Sequence, residues 1–91
     1  MHTIRISDTH IYKGCIATLP FKLPPNDDTF VALIEFSDQV IVSTEIEQKM
    51  PGELILHVES YITSSGTSIP AKSWRIRSTN EQGIWKVTGK N

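Results

Sequence analysis

The chain lacks most of the features that betray a function. It has one cysteine in 91 residues, Cys15, so no internal disulfide can form. That excludes the stapled frameworks of small extracellular domains and points to a reducing compartment, the cytoplasm. No apolar run approaches the roughly 20 residues a helix needs to cross a bilayer. Met1-His2-Thr3-Ile4-Arg5 opens without the apolar stretch of a secretory leader. The expectation is a soluble domain with no membrane partner. Excess charge is missing too, since nine Lys and Arg stand against ten Asp and Glu, a net −1. Nucleic-acid binders carry a basic surplus that displaces counterions from phosphates, so nucleic acid is not the expected partner.

Motifs are equally scarce. Gly14, Gly52, Gly66, Gly83 and Gly89 are isolated and form no phosphate-cradling pattern. The hydroxyl-rich run Thr63-Ser64-Ser65-Gly66-Thr67-Ser68 contains no G-x-S-x-G elbow, and hydroxyls beside a glycine commonly serve turns. His2, His10 and His57 share no ligand spacing with Cys15 or with a carboxylate pair, and Asp8 and His10 alone make no closed set. No metal or cofactor is expected. Cys15, between Gly14 and Ile16, has no base or cation beside it in sequence and reads as a small buried apolar group. A non-catalytic protein is the expectation, although an acid–base pair assembled from distant segments leaves no mark in a sequence.

What is present is the pattern of a β protein. The apolar fraction is 38% and the charged fraction 21%, in the globular range, and 91 residues make one domain, residues 1–91. Val40, Val42, Thr44 and Ile46 alternate with Ile41, Ser43, Glu45 and Glu47. Leu54, Leu56, Val58, Ser60 and Ile62 alternate with Glu53, Ile55, His57, Glu59 and Tyr61. Trp74 and Ile76, then Trp85 and Val87, continue the period of two that marks half-buried strands. Residues 30–36 are apolar on both parities up to Glu35, which suggests a strand covered on both faces. Thr44 and Glu47 have capping-box spacing, so residues 43–49 offer a short helix as a competitor to the strand. The predicted fold is all-β, an antiparallel meander of five to seven strands in a curled sheet or small barrel, of the SH3-like or OB kind.

Turn chemistry sets the predicted register. A three-residue loop at Ser37-Asp38-Gln39 puts Ile34 opposite Val42 and Phe30 opposite Ile46. A loop at Ser65-Gly66-Thr67 puts Val58 opposite Trp74, Leu56 opposite Ile76 and His57 opposite Arg75. A four-residue loop at Thr79-Asn80-Glu81-Gln82 puts Ile76 opposite Trp85 and Trp74 opposite Val87. A strict two-residue Pro51-Gly52 loop would mismatch the faces, so a bulge or a third loop residue is predicted there. Pro20, Pro24 and Pro25 make residues 20–28 an irregular crossing. Before it, Ile4 and Ile6 form a short strand, and residues 11–19 read as a second one bent at Gly14.

The charge layout suggests where a partner would sit. Asp27, Asp28, Glu35, Asp38, Glu45, Glu47, Glu53 and Glu59 face Lys49 alone over residues 26–63, while Lys72, Arg75, Arg77, Lys86 and Lys90 face Glu81 alone over residues 64–91. The predicted outward face gathers Ile55, His57, Tyr61, Arg75 and Arg77, an aromatic, apolar and cationic patch of the composition that carries interface energy. The functional expectation is a binding or interaction protein that self-associates through a sheet face or edge as a homodimer, or meets another protein partner. One alternative is a nucleic-acid-binding small barrel using Lys72, Arg75, Arg77 and Lys86. The other is a small-ligand pocket at an open end of the sheet near Trp74 and Trp85.

Overall fold

A computed structural model describes residues 2–25 and 28–91. These residues form no helix and nine strands: β1 (His2–Ile6), β2 (Ile16–Thr18), β3 (Thr29–Glu35), β4 (Ile41–Met50), β5 (Glu53–Val58), β6 (Tyr61–Ile62), β7 (Ser68–Ile69), β8 (Lys72–Ser78) and β9 (Ile84–Lys90). Seven of them close into a barrel in the order β1-β2-β9-β8-β5-β4-β3, and β6 and β7 make a separate two-stranded sheet. Residues 43–49 lie within β4, so alternation prevails over the capping-box signal.

The period of two builds the barrel. Ile4 and Ile6, Ala32 and Ile34, Val42 and Ile46, Leu54 and Leu56, then Ile76, Trp85 and Val87 all turn inward and are buried in one cluster. Ile34, Val42, Val58 and Val87, expected beneath one surface, are in it, and Trp74 packs partly buried against it. Val31, by contrast, is 53% exposed, so β3 is covered on one face and not on both.

From β3 onward the barrel strands pair in antiparallel fashion, whereas β1 lies parallel to β3, with Ile4 opposite Ile34. The sheet is therefore mixed and not antiparallel throughout. A parallel neighbour needs a long crossover, and β2 with the proline-rich stretch supplies it. Asn26 and Asp27 of that stretch lie outside the described residues, and the chain on either side of them is irregular. The expected strand over residues 11–19 shrinks to β2, because residues 12–15 turn tightly, with the Cys15 N–H donating to the Tyr12 carbonyl at 3.1 Å.

The predicted registers hold at the first hairpin and slip at two later ones. Ile34 faces Val42 and Phe30 faces Ile46 as expected. Pro51-Gly52 is a two-residue turn accompanied by a register shift between Gln48 and Met50, the predicted bulge. The third loop is Ser64-Ser65-Gly66, closed by Thr63 N–H donating to the Thr67 carbonyl at 2.8 Å. Leu56 accordingly faces Trp74, Leu54 faces Ile76, and His57 faces Ser73 instead of Arg75. The fourth loop is residues 80–83, closed by Thr79 N–H to the Ile84 carbonyl at 3.1 Å, which sets Ile76 opposite Val87 and Ser78 opposite Trp85. Both loops move one residue from the expected position for one reason. Each puts a glycine, Gly66 at φ +90 or Gly83 at φ +80, at the last position of the loop, a left-handed position that suits no other residue as well. Moving a loop by one residue moves the pairing by two, so every side chain keeps its face.

Candidate functional site

The outer face of β4, β5 and β8 carries most of the expected patch. Along the ladder, Glu45, His57 and Ser73 form one row, and Glu47, Ile55 and Arg75 the next. Glu53 and Arg77 pair beyond them, with Arg77 Nε donating to Glu53 Oε2 at 3.1 Å. The His57 ring joins two strands: its Nε2 meets the Glu47 carboxylate and its Nδ1 stands 2.7 Å from Ser73 Oγ. Ile55 points outward yet is only 4% exposed. It sits between Glu47 and Arg75 across the ladder and between Glu53 and His57 along β5, and long side chains such as those of arginine can shield an apolar neighbour with their stems.

Tyr61 does not join this face. The ladder between β5 and β8 has the same register as that between β6 and β7, but the strand assignment lapses between the two pairs, at residues 59–60 and 70–71. Pro70 has no N–H to donate there. Across the gap the alternation reverses, so Tyr61 turns inward and stacks on Phe36 at 5.0 Å between ring centroids. Burial pushes its phenol above the ordinary value, and the nearby Asp38 charge adds to this.

Tyr61 instead helps to wall a pocket of about 230 Å³ at the barrel mouth, with Ile11, Val58, Ile69, Pro70 and Trp74 as its apolar lining and His10 and Lys72 as its polar members. The Lys72 ammonium lies 5.6 Å from the centre of the Trp74 ring, within cation–π range. Two short tethers shape this mouth. Ser64 Oγ donates to Asp38 Oδ2 at 2.6 Å, tying the tip of the β6–β7 hairpin to the β3–β4 loop and holding the Asp38 carboxyl below its ordinary value. Asp8 accepts the Thr9 N–H at 2.7 Å and the Tyr12 hydroxyl at 3.1 Å, which lowers its own pKa, raises that of Tyr12, and orders the turn carrying His10 and Ile11.

The expected pairing of Trp74 with Trp85 at one pocket does not occur. Trp85 is buried opposite Ser78 on one side and Ala17 on the other, four positions along β8 from Trp74, and does not line the mouth. The bases also divide: Lys72 lines the mouth, while Arg75, Arg77 and Lys86 belong to the outer face. Cys15 is buried, and desolvation raises its thiol pKa, which keeps it in the inert thiol form at neutral pH. Among the described residues no group of three His, Cys, Asp or Glu stands close enough to hold a metal ion, and no helix is long and apolar enough to cross a membrane.

Sequence reasoning selected His57 and Trp74 but missed their companions. Ser73 emerges only once β5 and β8 have their true register, and Glu47 only from the pairing of β4 with β5. His10 lies in the bend after β1, while Ile69 ends β7 and Pro70 follows it, and no local pattern in the sequence joins the two segments. Comparison with protein-family models, curated proteins and solved structures found no match.

Proposed function

We propose that this chain is a binding domain that takes a small organic anion with a flat apolar body at the barrel mouth. A single observation carries the reading: the mouth has an aromatic and aliphatic lining whose ionisable members are His10, Tyr61 and Lys72, with no carboxylate among them. An apolar ring would pack against Trp74 and Tyr61, and a carboxylate would meet Lys72. The volume, about 230 Å³, lies below the ~300–1,000 Å³ of drug-sized pockets and suits a single substituted ring. A charge-assisted bond to Lys72 is worth about 1.5–3 kcal/mol, roughly ten- to hundredfold in affinity.

Trp74 emission tests this, in a Trp85→Phe background that leaves one indole. Benzoate should shift or quench it saturably, benzamide should bind at least tenfold more weakly, and Lys72→Gln should erase that preference. Unaltered emission at millimolar benzoate would discard the mouth as a ligand site. Equal binding of benzamide would discard only the anion.

Self-association through a sheet face is a second reading, favoured by Val31 and Ile41, which stand 53% and 56% exposed on the outer face of the adjacent strands β3 and β4. Barrel closure pairs the edges of the seven barrel strands, so an edge contact would fall to the β6–β7 hairpin. Light scattering over a hundredfold concentration range should then show a dimer that Val31→Lys dissociates. A monomer throughout would remove this reading.

A further inference from the structure

Glu47, His57 and Ser73 come from three adjacent strands, β4, β5 and β8, and meet at one imidazole. An ionised carboxylate only accepts hydrogen bonds, so the neutral ring that satisfies both contacts carries its proton on Nε2, toward Glu47. Nδ1 is then bare, 2.7 Å from Ser73 Oγ, and accepts the hydroxyl proton. A hydroxyl held on a base, with that base oriented by a carboxylate, is the arrangement that activates a serine for attack. The His57 and Glu47 side chains are about one-third exposed, at 34% and 30%, so the site is open to solutes.

The surroundings give the hydroxyl room. An open groove of about 490 Å³ runs between His57, Glu59, Ala71, Lys72 and Ser73. Val58 and Lys72 border both this groove and the mouth. Arg75 stands two positions beyond Ser73 on the same face of β8, outside the residues that line the groove, and has no ion pair among the described residues.

We propose that Ser73 is a nucleophile that accepts acyl and phosphonyl groups from small activated esters, with His57 as its base and Glu47 as the residue that positions His57. In the first step Ser73 Oγ bonds to the ester carbonyl carbon and its proton passes to His57 Nδ1. The carbon–oxygen bond to the leaving alcohol then breaks, and that alcohol takes the proton from His57. Water attacks the acyl-serine by the same route in reverse, releasing the acid and restoring the Ser73 hydroxyl. Lys72 is the cation that lines the groove, beside Glu45 and Glu59, and an ammonium in such an open setting stabilises an oxyanion less than enclosed N–H donors do. The expected behaviour is therefore stoichiometric labelling with slow turnover. This inference is independent of the ligand at the mouth.

The test incubates the full chain with a fluorophosphonate and maps the adduct by peptide mass spectrometry, alongside p-nitrophenol release from p-nitrophenyl acetate. One phosphonyl group should attach to Ser73 with loss of fluoride, and Ser73→Ala should abolish it. A general base contributes about 10²–10⁴-fold, so His57→Gln should slow labelling at least a hundredfold. Glu47→Gln should slow it less, and Glu47→Asp should recover part of the rate, which a purely structural ion pair would not do. Circular dichroism confirms the fold of each variant. The proposal is overturned if the unaltered chain takes no label, if the label lies on other hydroxyls, or if His57→Gln reacts within twofold of the parent rate.

Discussion

The two faces of β5 each hold a buried side chain at mid-strand, Leu56 inward and Ile55 outward, by different means. Inward, Leu54, Leu56 and Val58 meet apolar partners from across the barrel. Outward, Ile55 is 4% exposed, yet charged and polar residues surround it. The interior excludes water by packing. On the outer face one isoleucine is shielded among Glu47, Glu53, His57 and Arg75, of which Glu47 pairs with His57 and Glu53 with Arg77. Ile55 is thus the one position on β5 where burial does not mark the inward face.

Truncation on each side of the strand sharpens the contrast. Leu56→Ala empties a site with 0% exposure that neighbours cannot refill, and should cost about 3–5 kcal/mol in a urea melt, in the upper part of the range for such cavities. Ile55→Ala leaves a shallow gap that water and mobile side chains can enter, with an expected cost of about 2 kcal/mol. Equal losses would mean that the outer cluster packs as rigidly as the core. His57→Gln should cost only about 0.2–1 kcal/mol, the ordinary worth of a cross-strand polar contact at partial exposure. The smallest effect lies at the mouth. Asp38 has its pKa held below 3.8 by Ser64, so its share of stability is present above that value and lost as pH falls through the folded value. Ser64→Ala should lower stability slightly near neutral pH and leave it unchanged in strong acid, flattening the acid limb of the melting profile by the same small amount, as measured by thermal scans between pH 7 and 2.

Much of this barrel was legible in the sequence because its information is local. Ser37-Asp38-Gln39 could be recognised as a loop, and the pairs Ile34–Val42 and Phe30–Ile46 followed. Pro51-Gly52 announced a bulge because a tight turn alone would set apolar residues against polar ones. The two slipped hairpins show the limit of this reasoning, since alternation fixes parity but is blind to a shift of two. That shift hid the candidate relay, for His57 was read as facing Arg75 and faces Ser73. The reversal at residues 59–60, which carries Tyr61 from the patch to the mouth, leaves no period to read. The parallel pairing of β1 with β3 is non-local and gives no signal in either segment.

β2 has a part out of proportion to its three residues. It is held by two paired positions to β1 and three to β9, and both seams of the barrel wall run along it. Joining Ile16 to Lys86 brings together segments about seventy residues apart in the chain, and the loop-closure entropy of so distant a pairing predicts that this clasp forms late. The same clasp is where the closed wall should first come undone. Amide exchange ought to be fastest at Ile16, Ala17 and Thr18 among the barrel strands, as a door swinging on its shortest hinge while the long β3–β4–β5 wall stays shut.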